Sequence, residues 1–594
     1  MTESKSIPEQ LCQAALQGDA TWGFTFVDED REVFYSFEEL AGLAARYAAA
    51  MLKMGLQRGQ RVALALPRGE EFVCAFLGAM HAGLVPVPMY PPQGLGKLGL
   101  YLDHARHILR VSGSTILITS TQIKSVLGSL IGGQTRSITT VESLGIDNTE
   151  APLARLNLDE PAFIQFTSGS TSHPKGVLLT HANILANVRF ILNGLQMRPG
   201  DVGCSWLPLY HDMGLIGFVL SPIVNVNPVV LMSPFVFLKR PVEWLRRMTL
   251  HRATISFAPN FGYGLCASRV RERDLEALDL SRWRVAGCGA EPIQASTLER
   301  FHNRLKSVGF DSKAFTPAYG MAENTLAVSF SSIGTPPRSL RLRVDSIATD
   351  GVAEPAEEAD PSATTIVSCG RVLQGLELAI LDSEGNRCAP YRVGEIVVRG
   401  PSVMKGYYND PEATALALRN GWLHTGDLGF LDDGELFVCG RIKDLIIVAG
   451  RNYYPSDIEW ISSEVPGLRS GRVVAFSLGI HDNAGDQDEE RVVVCAETKV
   501  KRIDRPMLAK QVASQVLGSL GLRVSEVLLL NRGSLPRTSS GKLQRNKTRA
   551  LYQRGDLETA AEDEGRLKLF GHLVSSQWGF VKNRVASVVF GSRS

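Results

Sequence analysis

A run of small residues between two apolar segments constrains this chain more than any other feature of its sequence. Mostly apolar residues at 163–166 lead into Thr167-Ser168-Gly169-Ser170-Thr171, Lys175 follows, and a second apolar segment begins at Gly176. Small residues let backbone N–H groups approach an anion closely, and hydroxyl groups with one ammonium can surround a polyphosphate. The sequence therefore predicts a phosphate-binding loop between two strands.

This loop is not a Walker A loop, which has glycine directly before its lysine and serine or threonine directly after it. Pro174 and Gly176 occupy those two places here. A Ser/Gly surface turn is the alternative interpretation, but it leaves the flanking apolar segments and the single lysine unexplained.

The composition limits the class of protein. A chain of 594 residues, of which 44% are hydrophobic and 21% charged, is expected to form two or more globular domains. Its net charge of +2 gives no electrostatic footprint for nucleic acid, so no nucleic-acid partner is expected. Nine cysteines without a C-x-x-C pair indicate reduced thiols. Because no signal peptide and no apolar run of about 20 residues is present, we expect a soluble, cytoplasmic protein.

Alternating helical and strand patterns predict an α/β fold. Ser36 and Glu39 form a capping box at the start of a helical pattern. A strand over 61–66, a helix over 70–81 and a strand over 84–88 then complete a βαβ pattern, which predicts largely parallel sheets. After about residue 370, short β runs replace this alternation.

Changes in composition predict the domain boundaries. Four prolines and an acidic middle mark 331–365 as an exposed insertion rather than a core element. We expect an N-terminal domain over 1–440, a mobile C-terminal domain over 441–560 and a tail over 561–594. The tail is basic and amphipathic, which suits weak membrane contact or a partner; packing on its own protein, or disorder, is the alternative.

Each of six further motifs, taken alone, is only weak evidence for a chemical role. Mg²⁺ prefers oxygen ligands, so an aromatic residue, a glycine and a carboxylate in one segment can stack a purine and hold this metal. A carboxylate after a glycine turn can accept both hydroxyls of a ribose. A solvated loop or a structural histidine is the simpler interpretation of any single motif. The motifs are His211-Asp212, Gly289-Ala290-Glu291, Ala318-Tyr319-Gly320-Met321-Ala322-Glu323, Gly426-Asp427, Arg441-Ile442-Lys443 and Gly541-Lys542.

Together, in this order and spacing, the motifs resemble those of the adenylate-forming superfamily of acyl-CoA synthetases, luciferases and peptide-synthetase adenylation domains. The resemblance runs from about Thr21 to about Gly555. Three features are similar to the fatty acyl-AMP ligase family in particular. They are the motif at 209–215, Ala322 where many CoA ligases have threonine, and a linker after Glu323 that is longer than in CoA ligases.

The resemblance implies a fold and a role for each motif residue. The fold has a large N-terminal domain, made of two stacked α/β subdomains and a β-rich subdomain, and a small mobile α/β C-terminal domain. The implied roles are phosphate binding for Thr167, Ser168, Gly169, Ser170, Thr171 and Lys175; adenine binding for Gly289, Ala290, Glu291, Ala318, Tyr319, Gly320 and Met321; ribose binding for Asp427 and Arg441; Mg²⁺ binding for Glu323 and Thr167; catalysis for Lys542 and His211; and a hinge at Lys443.

The implied reaction has two steps. A fatty acid and ATP give acyl-AMP and pyrophosphate, and the acyl group then passes to the phosphopantetheine of an acyl carrier protein or of a carrier domain in a polyketide or peptide synthase. Segment 331–365 would restrict domain movement and the use of coenzyme A, with a passive loop as the alternative. An acyl-CoA synthetase and a non-catalytic nucleotide-binding scaffold are the alternative functions.

The implied acyl pocket contains Asn260, Phe261 and Gly262. The residues around this segment are apolar or small, and no carboxylate stands near Asn260 to bind an amino group. This favours a fatty acid over an amino acid as the substrate.

Overall fold

The computed structural model describes residues 5–29, 31–92, 98–132, 135–167, 174–357, 360, 363–448, 451–478, 491–538 and 542–557. The tail predicted over 561–594 therefore lies outside the described residues. Within the described ranges, no helix is long and apolar enough to cross a membrane.

The strands are numbered along the chain. They are β1 Gly23–Val27, β2 Glu32–Ser36, β3 Arg61–Ala65, β4 Val85–Pro88, β5 Ile116–Thr119, β6 Ser137–Thr140, β7 Pro161–Phe166, β8 Gly176–Thr180, β9 Gly203–Ser205, β10 Val229–Met232, β11 Ile255–Ala258, β12 Val285–Cys288, β13 Phe315–Gly320, β14 Ala327–Phe330, β15 Ser339–Arg343, β16 Ala363–Val372, β17 Glu377–Leu381, β18 Gly394–Arg399, β19 Gly406–Tyr407, β20 Leu418–Arg419, β21 Trp422–Asp432, β22 Glu435–Arg441, β23 Ile446–Val448, β24 Arg451–Tyr453, β25 Leu468–Leu478, β26 Arg491–Thr498 and β27 Glu526–Leu530.

The α-helices are numbered in the same way, and a π-helical turn over Ile216–Leu220 joins α7 to α8. They are α1 Ile7–Gln17, α2 Phe37–Lys53, α3 Gly69–His81, α4 Leu98–Ser112, α5 Thr121–Leu127, α6 His181–Gly194, α7 Asp212–Leu215, α8 Ser221–Asn225, α9 Pro234–Lys239, α10 Val242–Leu250, α11 Asn260–Arg269, α12 Glu272–Leu275, α13 Ala295–Leu305, α14 Val344–Asp350, α15 Pro411–Ala417, α16 Pro455–Ser463, α17 Arg505–Leu520 and α18 Arg545–Gln553.

The predicted α/β alternation is confirmed in the first part of the chain. Ser36 caps α2: its hydroxyl accepts a hydrogen bond from the Glu39 N–H at 3.1 Å, and its own N–H donates to the Glu39 carboxylate at 2.8 Å. Strands β3, β4, β5 and β6 form a parallel sheet in the order β4-β3-β5-β6. The βαβ pattern read from the sequence is therefore correct.

A second and larger sheet positions the cavity described below. Its centre, β1-β10-β9-β11-β12-β13, is parallel, whereas the strands from β14 onward pair antiparallel. The carboxyl ends of the parallel strands are the edge where α/β sheets bind ligands. Loops leave this edge at residue 259 after β11, at 289 after β12 and at 321 after β13.

The C-terminal part has a sheet and cores of its own. Strands β25, β26 and β27 form a three-stranded sheet. Two hydrophobic clusters pack on it from residues 446–557, with Val344 as the one buried member from earlier in the chain. The chain is thus an α/β protein with a large N-terminal part and a smaller C-terminal one.

Segment 331–365 is exposed over much of its length, as predicted, but it also contains core elements that the prediction did not include. It contains β15 and α14 and enters β16, and the side chains of Leu342 and Ile347 are buried against Phe430 and Phe437. Single apolar residues among polar ones carry this burial, so composition alone points to exposure. Seven of the described residues of this segment are buried and fourteen are exposed, so it is anchored in the core by a few apolar side chains while the rest of it faces solvent.

The same segment contacts the C-terminal part directly. Val344 on α14 belongs to the C-terminal cluster. The Thr364 hydroxyl donates a hydrogen bond to Asp457 Oδ1 on α16 at 3.2 Å, and Arg451 lies 3.6 Å from the Asp345 carboxylate. Burial raises the pKa of Asp457 to about 7.

Candidate active site

A cavity of about 1850 Å³ lies between the carboxyl edge of the large sheet and the C-terminal part. It brings together residues that are more than 300 positions apart in sequence. The predicted site residues that line it are Thr167, Lys175, His211, Asn260, Phe261, Gly289, Ala290, Glu291, Ala318, Tyr319, Gly320, Met321, Glu323, Asp427, Arg441, Lys443 and Lys542. Ser168, Gly169, Ser170 and Thr171 lie outside the described residues.

Gly262 is the predicted residue that does not line the cavity. A Cβ atom at this position would meet Trp206 Cζ2 at 2.8 Å and Ala258 Cβ at 3.2 Å. The glycine therefore lets the first turn of α11 pack on Trp206, behind the wall that Asn260 and Phe261 form.

The two ends of the predicted phosphate loop are fixed by hydrogen bonds between β7 and β8. The Thr167 N–H donates to the Lys175 carbonyl at 2.9 Å, and the Lys175 N–H donates to the Thr167 hydroxyl at 3.3 Å. The ammonium of Lys175 lies 4.7 Å from the centre of the Tyr407 ring. The loop thus leaves and re-enters the sheet at the cavity wall.

Backbone geometry explains the small residues after β12 and β13. A Cβ at Gly289 would meet the Ala318 carbonyl oxygen at 2.7 Å, and a Cβ at Gly320 would meet the Leu326 carbonyl oxygen at 2.1 Å. Ala290 has φ +67°, a conformation that costs free energy for any residue with a side chain. These turns are shaped so that backbone, rather than side chains, faces the cavity.

Glu291 lies half-buried beside this turn. Its carboxylate accepts a hydrogen bond from the Phe261 N–H at 2.6 Å, at the N-terminus of α11. Burial raises the pKa of Glu291, while this hydrogen bond and the charge of Lys542 oppose the shift.

Tyr319, Asp427 and Arg441 form a connected group. The Tyr319 hydroxyl donates to Asp427 Oδ2 at 2.8 Å, and Arg441 Nε lies 2.9 Å from Asp427 Oδ1. Asp427 and Arg441 face each other on β21 and β22. Burial raises the pKa of Asp427, and Arg441 opposes this shift. A carboxylate held in this way can accept hydrogen bonds from hydroxyl groups of a ligand.

Two further carboxylates stand near the phosphate loop. Glu323 accepts a hydrogen bond from the Tyr407 hydroxyl at 2.8 Å, and burial raises the pKa of Glu323. Asp212 forms an ion pair with His211 Nδ1. Burial works against the ionisation of Asp212, yet His211 holds the pKa of this carboxyl below its usual value.

Lys542 enters the cavity from the C-terminal part. The backbone N–H of Lys542 donates a hydrogen bond to the Thr538 hydroxyl at 3.0 Å, and the backbone carbonyl of Lys542 accepts one from the Thr538 N–H at 2.7 Å. Burial lowers the pKa of Lys542, while the carboxylates of Asp212 and Glu291 oppose the shift by favouring its charged form. A lysine near the end of the chain therefore faces the carboxylates of the large part.

Part of the cavity lining, called the apolar arm, consists of alkyl and aromatic side chains. It passes the π-helical turn, where a Cβ at Gly217 would meet only Leu326 Cδ2, at 3.7 Å. The apolar residues of this arm are Ile191, Leu192, Leu195, Met197, Phe218, Ile255, Phe257, Leu326 and Phe330.

Sequence reasoning missed several of these residues. Tyr407 belongs to the two-residue strand β19, which pairs with β8, and 84 positions separate it from Glu323. No local pattern marks such a residue. Gly217 carries no signal of its own, because a single glycine is compatible with a helix. Asp212 belongs to the predicted motif with His211, and only its ion pair with that residue could not be predicted.

Known proteins share both the sequence and the fold of this chain. The sequence model of the family of AMP-binding enzymes matches residues 13–408 of this chain. A Caulobacter vibrioides protein provisionally named an acyl-CoA synthetase is 38% identical, over 87% of this chain and 90% of its own length. The medium-chain-fatty-acid–[acyl-carrier-protein] ligase JamA of Moorena producens is 35% identical, over 88% of this chain and 90% of its own length. A structure from a study of fatty acyl-adenylate ligases of E. coli and L. pneumophila superposes with a TM-score of 0.87 and 36% identity, covering 93% of this chain and 98% of that one.

Proposed function

Because this chain belongs to the family of AMP-binding enzymes, we propose that it joins a fatty acid to AMP with release of pyrophosphate, and then passes the acyl group to the phosphopantetheine thiol of an acyl carrier protein. One observation carries the proposal. A single cavity contains an apolar arm, a group of oxygen ligands and the ammonium of Lys542. A nucleotide-binding scaffold has no need of all three together.

The nucleotide would occupy the polar end of the cavity. Thr167 and Lys175, with Ser168 to Thr171 between them, would bind the β- and γ-phosphates. Gly289, Ala290, Glu291 and the segment from Ala318 to Met321 would frame the adenine. Asp427 would accept the ribose hydroxyls while Arg441 balances its charge, since the pair already lies 2.9 Å apart.

The residues near the phosphate loop suit Mg²⁺. This ion prefers hard oxygen ligands and is usually held by one or two carboxylates together with substrate phosphates. Glu323 offers a half-buried carboxylate, and Thr167 offers a hydroxyl at the start of the loop. Among the described residues no group of three or more His, Cys, Asp or Glu could hold a metal by itself. When bound, Mg²⁺ would screen the phosphate charge.

Lys542 would supply the positive charge that the first step needs. The carboxylate of the fatty acid must approach the α-phosphate of ATP, and both groups are anionic. An ammonium fixed between them stabilises the negative charge that builds up during the in-line displacement. His211, whose ring is held by Asp212, would contact the carboxylate and the departing pyrophosphate.

The acyl chain would occupy the apolar arm that begins beyond Asn260 and Phe261. The side chains of this arm are alkyl and aromatic. This supports a fatty acid rather than an amino acid as the substrate.

The second step requires the C-terminal part to move. We place the division between domains at 440/441, with Lys443 as the hinge, because the C-terminal clusters are built from residues 446–557 and Val344. The contacts of segment 331–365 with β24 and α16 would restrain this movement and disfavour coenzyme A. Coenzyme A as the acceptor is the competing proposal, favoured by the name of the Caulobacter relative.

A cytoplasmic location is part of the proposal. All nine cysteines are free thiols, and seven of them are buried. Reduced thiols suit a reducing compartment.

The Lys542→Ala variant tests the first step. We expect fatty-acid-dependent pyrophosphate release to fall by about 10²–10³, while ATP affinity in a binding titration stays close to that of the wild type. Lys313→Ala, at an exposed lysine far from the cavity, is the control. Wild-type rates in Lys542→Ala would refute the role assigned to this lysine. Pyrophosphate release at the same rate with and without fatty acid would refute the proposed adenylation of a fatty acid.

The acceptor is tested on preformed acyl-adenylate. Phosphopantetheinylated carrier protein and coenzyme A are supplied separately, and the acylated product is measured by mass spectrometry. We expect transfer to the carrier protein. Equal or faster transfer to coenzyme A would favour the acyl-CoA synthetase instead.

A further inference from the structure

We propose that the start of helix α17 is the docking surface for an acidic carrier protein. This inference rests on the proposed function, because it names where the acceptor of the second step binds. The surface, called here the α17 patch, consists of Lys499, Lys501, Ile503, Met507 and Lys510.

The centre of the α17 patch is apolar and open to solvent. Ile503 is 85% exposed and Met507 is 65% exposed, and four positions separate them at the point where the chain enters α17. Ile503 lies in the 3₁₀ turn Arg502–Asp504 that leads directly into α17, and Met507 lies in the first turn of that helix. A single exposed apolar residue needs no explanation, whereas two large ones this near in sequence, within a basic surface, suit a protein-binding surface.

The rim of the α17 patch is positively charged. Lys499, Lys501 and Lys510 are exposed, and in the described part of the chain no salt bridge to any of them is found. Within 499–510 the only acidic residue is Asp504, against three lysines and two arginines. An apolar centre with a cationic rim is complementary to an acidic protein that presents an apolar helix face, which describes carrier proteins.

Helix α17 also connects this patch to the active site. Ser519 and Leu520, at the opposite end of the helix, line the cavity. The patch therefore lies on the part of the chain that moves for the second step, on a helix that also reaches the cavity.

The patch stands on a rigid element. Leu508, Val512 and Val516 are buried on the inner face of α17. The guanidinium of Arg505 donates to the Leu529 carbonyl at 2.9 Å and to Asn531 Oδ1 at 2.6 Å, which fixes the first turn to β27 and the residue after it. A pre-organised surface loses little entropy on binding.

Two variants test the patch. The first is the triple substitution Lys499→Glu, Lys501→Glu and Lys510→Glu, and the second is the double substitution Ile503→Ser and Met507→Ser. The matched controls are Lys306→Glu with Lys313→Glu, and Leu16→Ser with Leu250→Ser. These control leucines are 88% and 64% exposed, and therefore comparable with the patch residues.

Three rates are measured for each variant: fatty-acid-dependent pyrophosphate release, acyl transfer to free pantetheine, and acyl transfer to a phosphopantetheinylated carrier protein that the wild type acylates. We expect the KM for the carrier protein to rise about tenfold or more in both patch variants. The first two rates, and all rates of the controls, stay within about twofold of the wild type.

Other results overturn the inference in separate ways. An unchanged KM for the carrier protein shows that docking occurs elsewhere. An equal loss with pantetheine shows an effect on domain movement, and a lowered melting temperature shows that another part of this chain covers the patch. Lost binding to anionic vesicles, with carrier transfer unchanged, would assign the patch to a membrane. If the wild type forms adenylate but acylates no carrier protein, the proposed acceptor fails and the docking surface fails with it.

Discussion

Tyr407 joins two parts of the active site that the sequence does not connect. Its hydroxyl donates to Glu323 at 2.8 Å, and its ring lies under the ammonium of Lys175 at 4.7 Å. Tyr407→Phe removes only the first contact, whereas Tyr407→Leu removes both. The two variants therefore separate the effect on the carboxylate that we propose for Mg²⁺ binding from the effect on the lysine that we propose for phosphate binding.

The size of each effect follows from the contact that is lost. A hydrogen bond to a charged group contributes about 1.5–3 kcal/mol, so Tyr407→Phe is expected to weaken MgATP binding by about 10- to 150-fold at most. Burial raises the pKa of Glu323 and the Tyr407 hydroxyl opposes that shift, so without the hydroxyl this pKa rises further. The carboxyl group is then more often protonated at neutral pH, which weakens metal binding. The cation–π contact adds about 0.5–2 kcal/mol in Tyr407→Leu.

The dissociation constant of ATP, measured by calorimetry with Mg²⁺ and again with EDTA, separates these effects. In Tyr407→Phe we expect weaker binding with Mg²⁺ only, and a smaller defect as the pH rises and Glu323 loses its proton. In Tyr407→Leu binding weakens in EDTA as well. Tyr408→Phe, at the neighbouring tyrosine, is the control. A Tyr407→Phe defect of equal size with and without Mg²⁺ would refute the reasoning, because the hydroxyl would then not act through Glu323.

The remaining predictions concern the acyl arm and the contact between domains. In Gly217→Val the new side chain projects into the apolar arm. We therefore expect kcat/KM for the longest acids accepted to fall at least tenfold in a C6 to C18 series, while short acids are unaffected, with Gly518→Val as the control. A uniform loss across the series would contradict this prediction. For Asp457, a folded-state pKa of about 7 against the ordinary 3.8 means that stability falls as the pH rises from about 4 to about 7. Asp457→Asn should therefore raise the melting temperature at pH 8, by the equivalent of about 4 kcal/mol at most, and leave it unchanged at pH 4; an equal shift at both pH values would exclude this titration as the cause.

Much of the fold could be predicted because its signals are local. The capping box at Ser36 and the βαβ pattern over 61–88 depend on residues a few positions apart, and both are confirmed. The buried part of segment 331–365 was not predicted, for the same reason. The burial of Leu342 and Ile347 depends on their contacts with β21 and β22. Those strands lie far away in the sequence, so the composition of the segment cannot indicate the contacts.

The sequence by itself determined which chemical groups this protein possesses: a small-residue loop with one lysine, a set of carboxylates beside glycine turns, and a lysine near the end of the chain. Only the tertiary structure decided which of them meet. It brings Tyr407 to Glu323, Thr364 to Asp457, and Lys542 to the carboxylates of Asp212 and Glu291. The physical reason is that periodicity and turn chemistry act over a few residues, whereas these contacts are set by how sheets and helices pack after the chain has closed long loops.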